Sequence, residues 1–191
     1  MPAPKILVFA GSTRSGALSG RLAALAAKEL ALADAEVTHI SLADYPLPIY
    51  DGDHEEDKGV PDNAMKLARL IAAHQGVFIA TPEYNHALPP LLKNTLDWVS
   101  RVKHTGTVPY RHKVYAIGGT SDGPIGGARA LIDLRKVLAT AVRAIVIPER
   151  IEVPMAQNAF DEAGELIEET RSKLLKTVVR NLVDLAGRLV E

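Results

Sequence analysis

Five consecutive apolar residues, Ile6-Leu7-Val8-Phe9-Ala10, run straight into Gly11-Ser12-Thr13-Arg14-Ser15-Gly16 and then into Leu18, Leu22, Leu25 and Ala26 at helical spacing. A strand that is apolar at every position must be covered on both faces, which is the condition of a strand inside a parallel sheet. The loop therefore lies between a buried strand and a helix N-terminus. Free N–H groups and the positive end of the helix dipole favour an anion there. Arg14 adds a guanidinium fork matched to phosphate oxygens, and the stretch reads as a phosphomonoester site. It has no Gly-Lys-Ser/Thr ending and no G-x-G-x-x-G, so neither a Walker loop nor a dinucleotide fingerprint is present. Without Arg14, an ordinary βα turn would explain the Gly and Ser residues equally well.

The rest of the chain repeats this alternation. A first helix is expected over Ala17–Leu32 and a second strand over Glu36–Ser41, followed by a long loop, 42–59, interrupted by Pro46, Pro48 and Gly52. Its acidic cluster, Asp51 to Asp57, reads as a solvated face rather than a metal site. Pro61 opens a helix with Met65, Leu67, Leu70 and Ile71 on its apolar side. Gly76–Thr81 is a third strand, ending in Pro82-Glu83-Tyr84-Asn85-His86 and a helix, LLKNTLDWVSRV. Lys113–Gly118 is a fourth strand, leading through Gly119-Thr120-Ser121 and Gly126-Gly127 to a helix over Ala128–Thr140. Residues 143–147 make a short last strand, and Asp161–Leu189 a long terminal helix carrying Leu166, Leu174, Val178, Leu182, Leu185 and Leu189 on its buried side.

Five strands alternating with five helices in 191 residues predict one domain, residues 1–191, of α/β class: a flavodoxin-like three-layer sandwich whose parallel sheet has the order 2-1-3-4-5. In that order strands one, three and four are adjacent, and their unusual loops converge at the carboxyl edge, where ligands of such sheets bind. The first loop offers a phosphate site, the second a flat aromatic and amide surface, and the third glycines that allow close backbone approach. Flavin mononucleotide, a flat ring tethered to a monophosphate, fits all three. Taken alone, the Pro82–Asn85 stretch could also be a plain turn.

The composition excludes several classes. The formal net charge of −1 provides no basic field for nucleic acid. The absence of cysteine excludes disulfide and thiolate chemistry. No apolar run approaches membrane-spanning length and no leader precedes the first strand, so a cytoplasmic protein without a membrane partner is expected. His39, His54, His74, His104 and His112 show no metal-ligand spacing, and no metal is expected. Trp98 and Val99 read as packing residues.

Gly11-Ser12-Thr13-Arg14 with Ser19, Pro82-Glu83-Tyr84-Asn85, Leu92-Lys93-Asn94-Thr95-Leu96-Asp97-Trp98 and Gly118-Gly119-Thr120-Ser121 through Gly126-Gly127 together resemble the NADPH-dependent FMN reductase family, the flavodoxin-like quinone, chromate and azo reductases, over essentially the whole chain. The resemblance implies FMN with its phosphate on Ser12, Arg14, Ser15 and Ser19, its ring against Pro82, Glu83, Tyr84 and Asn85, and further contacts from Gly119, Thr120 and Ser121. It also implies NADPH or NADH as co-substrate, a small-molecule electron acceptor, and a homodimer or homotetramer with the LKNTLDW helix at an interface. The sequence departs from the family at Ala17 and Ser19, where a hydroxyl and an amide are common, and at His86, where small residues are common.

The expected chemistry is carried by the flavin, with no catalytic side chain: hydride arrives from NAD(P)H and leaves to a quinone, azo, chromate or flavin acceptor in a ping-pong sequence. A non-catalytic flavodoxin-type electron carrier and a non-redox phosphate-ester-binding α/β protein are the alternative readings. The pocket mouth is expected from the 42–59 loop, the 101–110 region and a partner subunit.

Overall fold

A computed structural model of the chain describes residues 2–102 and 109–190. Five parallel strands, β1 (Lys5–Ala10), β2 (Glu36–Ile40), β3 (Gly76–Pro82), β4 (Val114–Thr120) and β5 (Ile145–Val153), form one sheet in the order β2-β1-β3-β4-β5. Six α-helices connect and follow them: α1 (Leu18–Leu32), α2 (Gly52–Lys58), α3 (Asp62–Ala73), α4 (Pro90–Arg101), α5 (Ala128–Lys136) and α6 (Glu169–Gly187). The order and parallel sense are those the sequence predicts.

The continuous apolar run of β1 is explained by burial on two sides. Ile6, Val8 and Ala10 pack with α1 and α6, while Leu7 and Phe9 pack with α3, α4 and α5. Ile6, Leu7, Val8 and Phe9 are buried, each contributing about 1.5–3 kcal/mol from removal of apolar surface. His74 is also buried, with Nδ1 2.6 Å from the Leu70 carbonyl oxygen and Nε2 2.8 Å from Thr38 Oγ1. It is a structural histidine joining α3 to the edge strand.

Three expectations are corrected. The 42–59 segment is not all loop. Asp51 accepts from the Asp53 N–H and starts α2, and Arg101 Nε reaches both Glu55 oxygens at 2.9 and 2.8 Å. Glu55 also accepts from the Tyr50 hydroxyl at 2.9 Å, and these bonds raise the pKa of both the phenol and the guanidinium. The acidic cluster is thus partly spent on building a helix that its own Gly52 does not favour. The last strand is longer than 143–147, because Tyr115↔Val146 is followed by Ile117↔Arg150. The bulge contains Pro148, which cannot donate to a ladder, and Arg135 donates to the carbonyls of Ile147 and Pro148 at 2.8 and 3.1 Å. Finally, the terminal helix starts at Glu169, not Asp161. Asp161 Oδ1 accepts from the Glu165 N–H, Gly164 adopts φ +83°, and Phe160 bridges to Leu166, so local bonds compete with helix before Glu169.

The LKNTLDW motif acts on the segment preceding α2. Asn94 Oδ1 accepts from the Tyr50 N–H at 2.8 Å, and Asn94 Nδ2 and Trp98 Nε1 both donate to the Pro48 carbonyl, at 2.8 and 2.7 Å. Trp98 and Val99 are fully buried, as packing residues. Of the expected pocket mouth at 101–110, residues 103–108, including His104, lie outside the described residues.

Candidate functional site

The loops after β1, β3 and β4 meet in a groove of about 170 Å³ at the carboxyl edge of the sheet. Ser12, Arg14, Ala17, Leu18 and Ser19 form one wall, Pro82, Glu83 and Tyr84 a second, and Thr120, Ser121 and Asp122 a third. The sheet order causes this convergence: Phe9 is registered with Ile79 and Ile79 with Ile117, so three adjacent strands deliver their loops together.

The first wall is built for an anion. Ala17 stands at the N-cap of α1 with no side-chain hydrogen bond, so the first-turn N–H groups of Leu18, Ser19 and Gly20 have no cap. Ser19 lines the groove and is 1% exposed, and its buried Oγ has no hydrogen-bond partner among the described residues. Leaving a buried hydroxyl unsatisfied costs about 1–3 kcal/mol, a cost that an acceptor supplied from outside the chain would relieve. The Arg14 side chain is exposed and makes no ion pair among the described residues. Ser12 Oγ accepts from the Arg14 N–H at 3.3 Å and shapes the loop. Ser15 faces a neighbouring groove and does not line this one.

The second wall is held from a distance. Glu83, with a side chain 7% exposed, accepts from the Arg129 and Ala130 N–H groups at 3.0 and 3.2 Å. It serves as the missing cap of α5, whose N-cap residue is Gly127. A carboxylate at a helix N-terminus is favourable by charge as well as by hydrogen bonding. Glu83 thereby ties the second loop to the third. Tyr84 and Ala87 exchange backbone hydrogen bonds across Asn85 and His86, at φ +49° and +62°. Two left-handed residues in succession form the turn usually built from Asn-Gly, and His86 is kept there by accepting from the Arg129 guanidinium at 2.9 Å. Asn85 lies outside the groove lining, while Tyr84, 48% exposed, stands at its edge.

The third wall depends on glycines for internal reasons. A Cβ on Gly119 would lie 2.7 Å from the Gly126 carbonyl oxygen. The close approach that Gly119 permits is thus between two segments of the chain itself, and it places Thr120 and Ser121 at the groove. Asp122, which sequence reasoning did not single out, also lines it. Its position in the Gly119–Gly127 loop was the available signal.

The orphaned Ser19 hydroxyl, the uncapped α1 terminus and the Arg14 guanidinium fit the phosphate of FMN, and Tyr84 and Thr120 line the same groove. Such a site on this sheet defines a flavodoxin-like FMN-binding oxidoreductase. A family model described as NADPH-dependent FMN reductase matches residues 4–158. A quinone reductase of Escherichia coli (strain K12) is 35% identical over 167 residues, covering 86% of each chain. An NAD(P)H-dependent FMN reductase of Pseudomonas aeruginosa is 33% identical over 180 residues, covering 93% of this chain and 92% of that one. Among solved structures, FerB from Paracoccus denitrificans, a flavoenzyme NAD(P)H:(acceptor) oxidoreductase, has a TM-score of 0.80 at 28% identity, covering 97% of this chain and 98% of that one. The chain belongs to the NADPH-dependent FMN reductase family, and FMN as cofactor with NAD(P)H as co-substrate fits both the family and the groove.

Ser19→Ala gives a test with opposite signs. Removing the unsatisfied hydroxyl is expected to raise the melting temperature of the flavin-free protein by about 2–4 °C per kcal/mol recovered. The same change is expected to weaken FMN by about five- to tenfold, the loss of one hydrogen bond. Thermal melting and flavin-fluorescence titration read the two effects, and a lower melting temperature would contradict the assignment.

Proposed function

We propose that the chain folds as one FMN-binding reductase domain that takes hydride from NAD(P)H and passes it to a small quinone, azo, chromate or flavin acceptor. The observation that carries this reading is the single groove formed by the three loops, with the unsatisfied Ser19 hydroxyl at its phosphate end. FMN, when bound, supplies a ring that accepts hydride and gives it up.

The chain's part is to bind and orient. Arg14, Ser12, Ser19 and the α1 N–H groups hold the phosphate, with Ser15 adding a hydroxyl from the neighbouring side of the loop. Pro82, Tyr84 and the Asn85 turn bound the ring on one side, and Thr120 and Ser121 on the other. Glu83 and Gly119 act through the positions they impose on those neighbours. Of the two carboxylates lining the groove, Glu83 is committed to α5, which supports a role for the side chains in positioning rather than in proton transfer. With one flavin serving both half-reactions, co-substrate and acceptor would reach it in turn, which gives ping-pong kinetics.

We further propose a cytoplasmic homodimer or homotetramer. Ile49, between two residues bound to α4, and Ile132 on α5 are exposed and support association. No helix among the described residues is long and apolar enough to cross a membrane.

The test is the visible spectrum of FMN-loaded protein before and after anaerobic NADPH. The expected result is loss of the oxidised-flavin band followed by its return on adding a quinone. A bound flavin that NADPH does not bleach would indicate an electron carrier, and failure to bind flavin would indicate a different phosphate ester.

A further inference from the structure

Glu83, a lining residue of the groove, belongs also to a cluster of three ionisable side chains beside Tyr84. Its Oε2 accepts from the Arg129 and Ala130 N–H groups at 3.0 and 3.2 Å, while Oε1 lies 3.5 Å from His86 Nδ1 and 3.7 Å from Arg129 Nη1. Arg129 Nη1 donates to His86 Nδ1 at 2.9 Å. A guanidinium has no acceptor, so His86 Nδ1 is the bare nitrogen of a neutral ring and Nε2 carries the proton. Among the described residues, neither His86 Nε2 nor the Nε and Nη2 atoms of Arg129 make a hydrogen bond. The cluster thus commits its one carboxylate inwards, to α5, and offers only donors outwards.

Packing does not require a histidine at this position. His86 has φ +62°, a left-handed backbone that glycine adopts without strain and that is uncommon for other residues. Its side chain is 74% exposed, so burial does not offset the strain. An exposed polar ring held in a sparsely populated conformation points to a role outside the fold. Neighbouring carboxylates leave the pair available. Asp133, one turn further along α5, is paired with Lys136 at 3.3 Å, and Asp122 lines the groove from a different loop.

We propose that His86 and Arg129 form a subsite for an anionic substituent of the electron acceptor, so that the chain favours flat aromatic acceptors carrying a sulfonate or carboxylate over neutral ones. The inference rests on the FMN reading above, which puts the flavin ring against Tyr84. His86 is two residues from Tyr84 in one turn, closed by the backbone bonds between Tyr84 and Ala87, and Glu83 is common to the groove and the cluster. An aromatic acceptor stacked beside Tyr84 can therefore present a substituent on its edge to these donors. Nε and Nη2 form one edge of the Arg129 guanidinium and match two oxygens of a sulfonate or carboxylate, and His86 Nε2–H adds a third donor. The 2′-phosphate of NADPH is a poorer match, because it is carried at the adenosine end of the dinucleotide, remote from the nicotinamide that must reach the flavin.

Naphthalene-2-sulfonate and naphthalene-2-sulfonamide test this without turnover, since they share shape and aromatic surface, neither accepts electrons from the flavin, and only the first is charged. Their dissociation constants are read from perturbation of the flavin absorbance in oxidised, FMN-loaded protein at low ionic strength. Wild type, Arg129→Gln and His86→Gly are compared, with thermal melting to verify folding. Wild type is expected to bind the sulfonate about fivefold or more tightly than the sulfonamide, the yield of charge-assisted bonds at a half-exposed site. Arg129→Gln is expected to bring the two probes within about twofold of each other. His86→Gly should lose part of the preference while melting no lower than wild type, because glycine relieves the turn. Equal affinities for the two probes in wild type would overturn the proposal, as would a preference that survives Arg129→Gln or a His86→Gly protein that melts well below wild type. Failure to load FMN would instead overturn the reading on which the proposal rests.

Discussion

Gly119→Ala is expected to lower the stability of the chain by about 3 kcal/mol, and Gly119→Val by more, because the site has no room for a first carbon atom. The added Cβ meets the Gly126 carbonyl oxygen at 2.7 Å and Leu131 side-chain atoms at 3.1 Å. The carbonyl cannot retreat. Gly126, at φ +61°, already lies where its own Cβ would be 2.8 Å from the backbone nitrogens of Val153 and Pro154. The three segments β4, the 121–127 loop and the end of β5 are stacked backbone on backbone, so the strain cannot be absorbed by a rotamer change. For a chain of this length the loss corresponds to a fall of about 6–12 °C in melting temperature. FMN affinity should fall with it, since Thr120 and Ser121 are displaced. Gly123→Ala is the control: its Cβ would find only the Ser121 Oγ at 3.9 Å, and its melting temperature should stay near that of wild type. A Gly119→Ala protein melting with the control would remove the basis of this account.

Arg14→Ala should have the complementary effect, leaving the fold intact and removing the cofactor. The Arg14 side chain is exposed and, among the described residues, makes no ion pair, so its loss should not measurably change the melting temperature of the flavin-free protein. Towards a phosphate, however, it contributes charge-assisted hydrogen bonds worth about 1.5–3 kcal/mol, or roughly 10- to 100-fold in Kd. Arg14→Lys should recover part of this, because the charge remains while the planar fork is lost. Fluorescence titration at fixed ionic strength separates the three proteins. A Kd for Arg14→Ala within about twofold of wild type would assign the phosphate to the α1 N–H groups and hydroxyls alone.

The parts of the molecule that were legible in advance are those in which local pattern and burial agree. The unbroken apolar runs of β1 and β3 announced strands covered on both faces, and the spacing of Leu22, Leu25 and Ala26 announced the buried side of α1. The parts that were not legible depend on partners distant in the chain. α2 is short, glycine-led and acidic, and it is held by Glu55 against Arg101, 46 positions away. β5 contains Pro148, so its true length shows only once Arg135 is seen to satisfy the carbonyls of its bulge. Glu83 read as a cofactor contact within a specific motif, yet its carboxylate caps α5 from 46 residues away.

By itself, then, the amino-acid sequence determined the alternation of strand and helix, the parallel sheet and the loops that carry the chemistry, because each follows from periodicity, backbone permissiveness and charge within a few residues. Only the tertiary structure decided which of those residues line the groove. Ser19, with a buried hydroxyl that has no partner among the described residues, lines the groove, while Ser15 in the preceding loop lies outside its lining. Gly119 makes room for the chain's own Gly126. The physical reason is that a side chain's role is set by what occupies the space around it, and that space is defined by segments arriving from elsewhere in the chain.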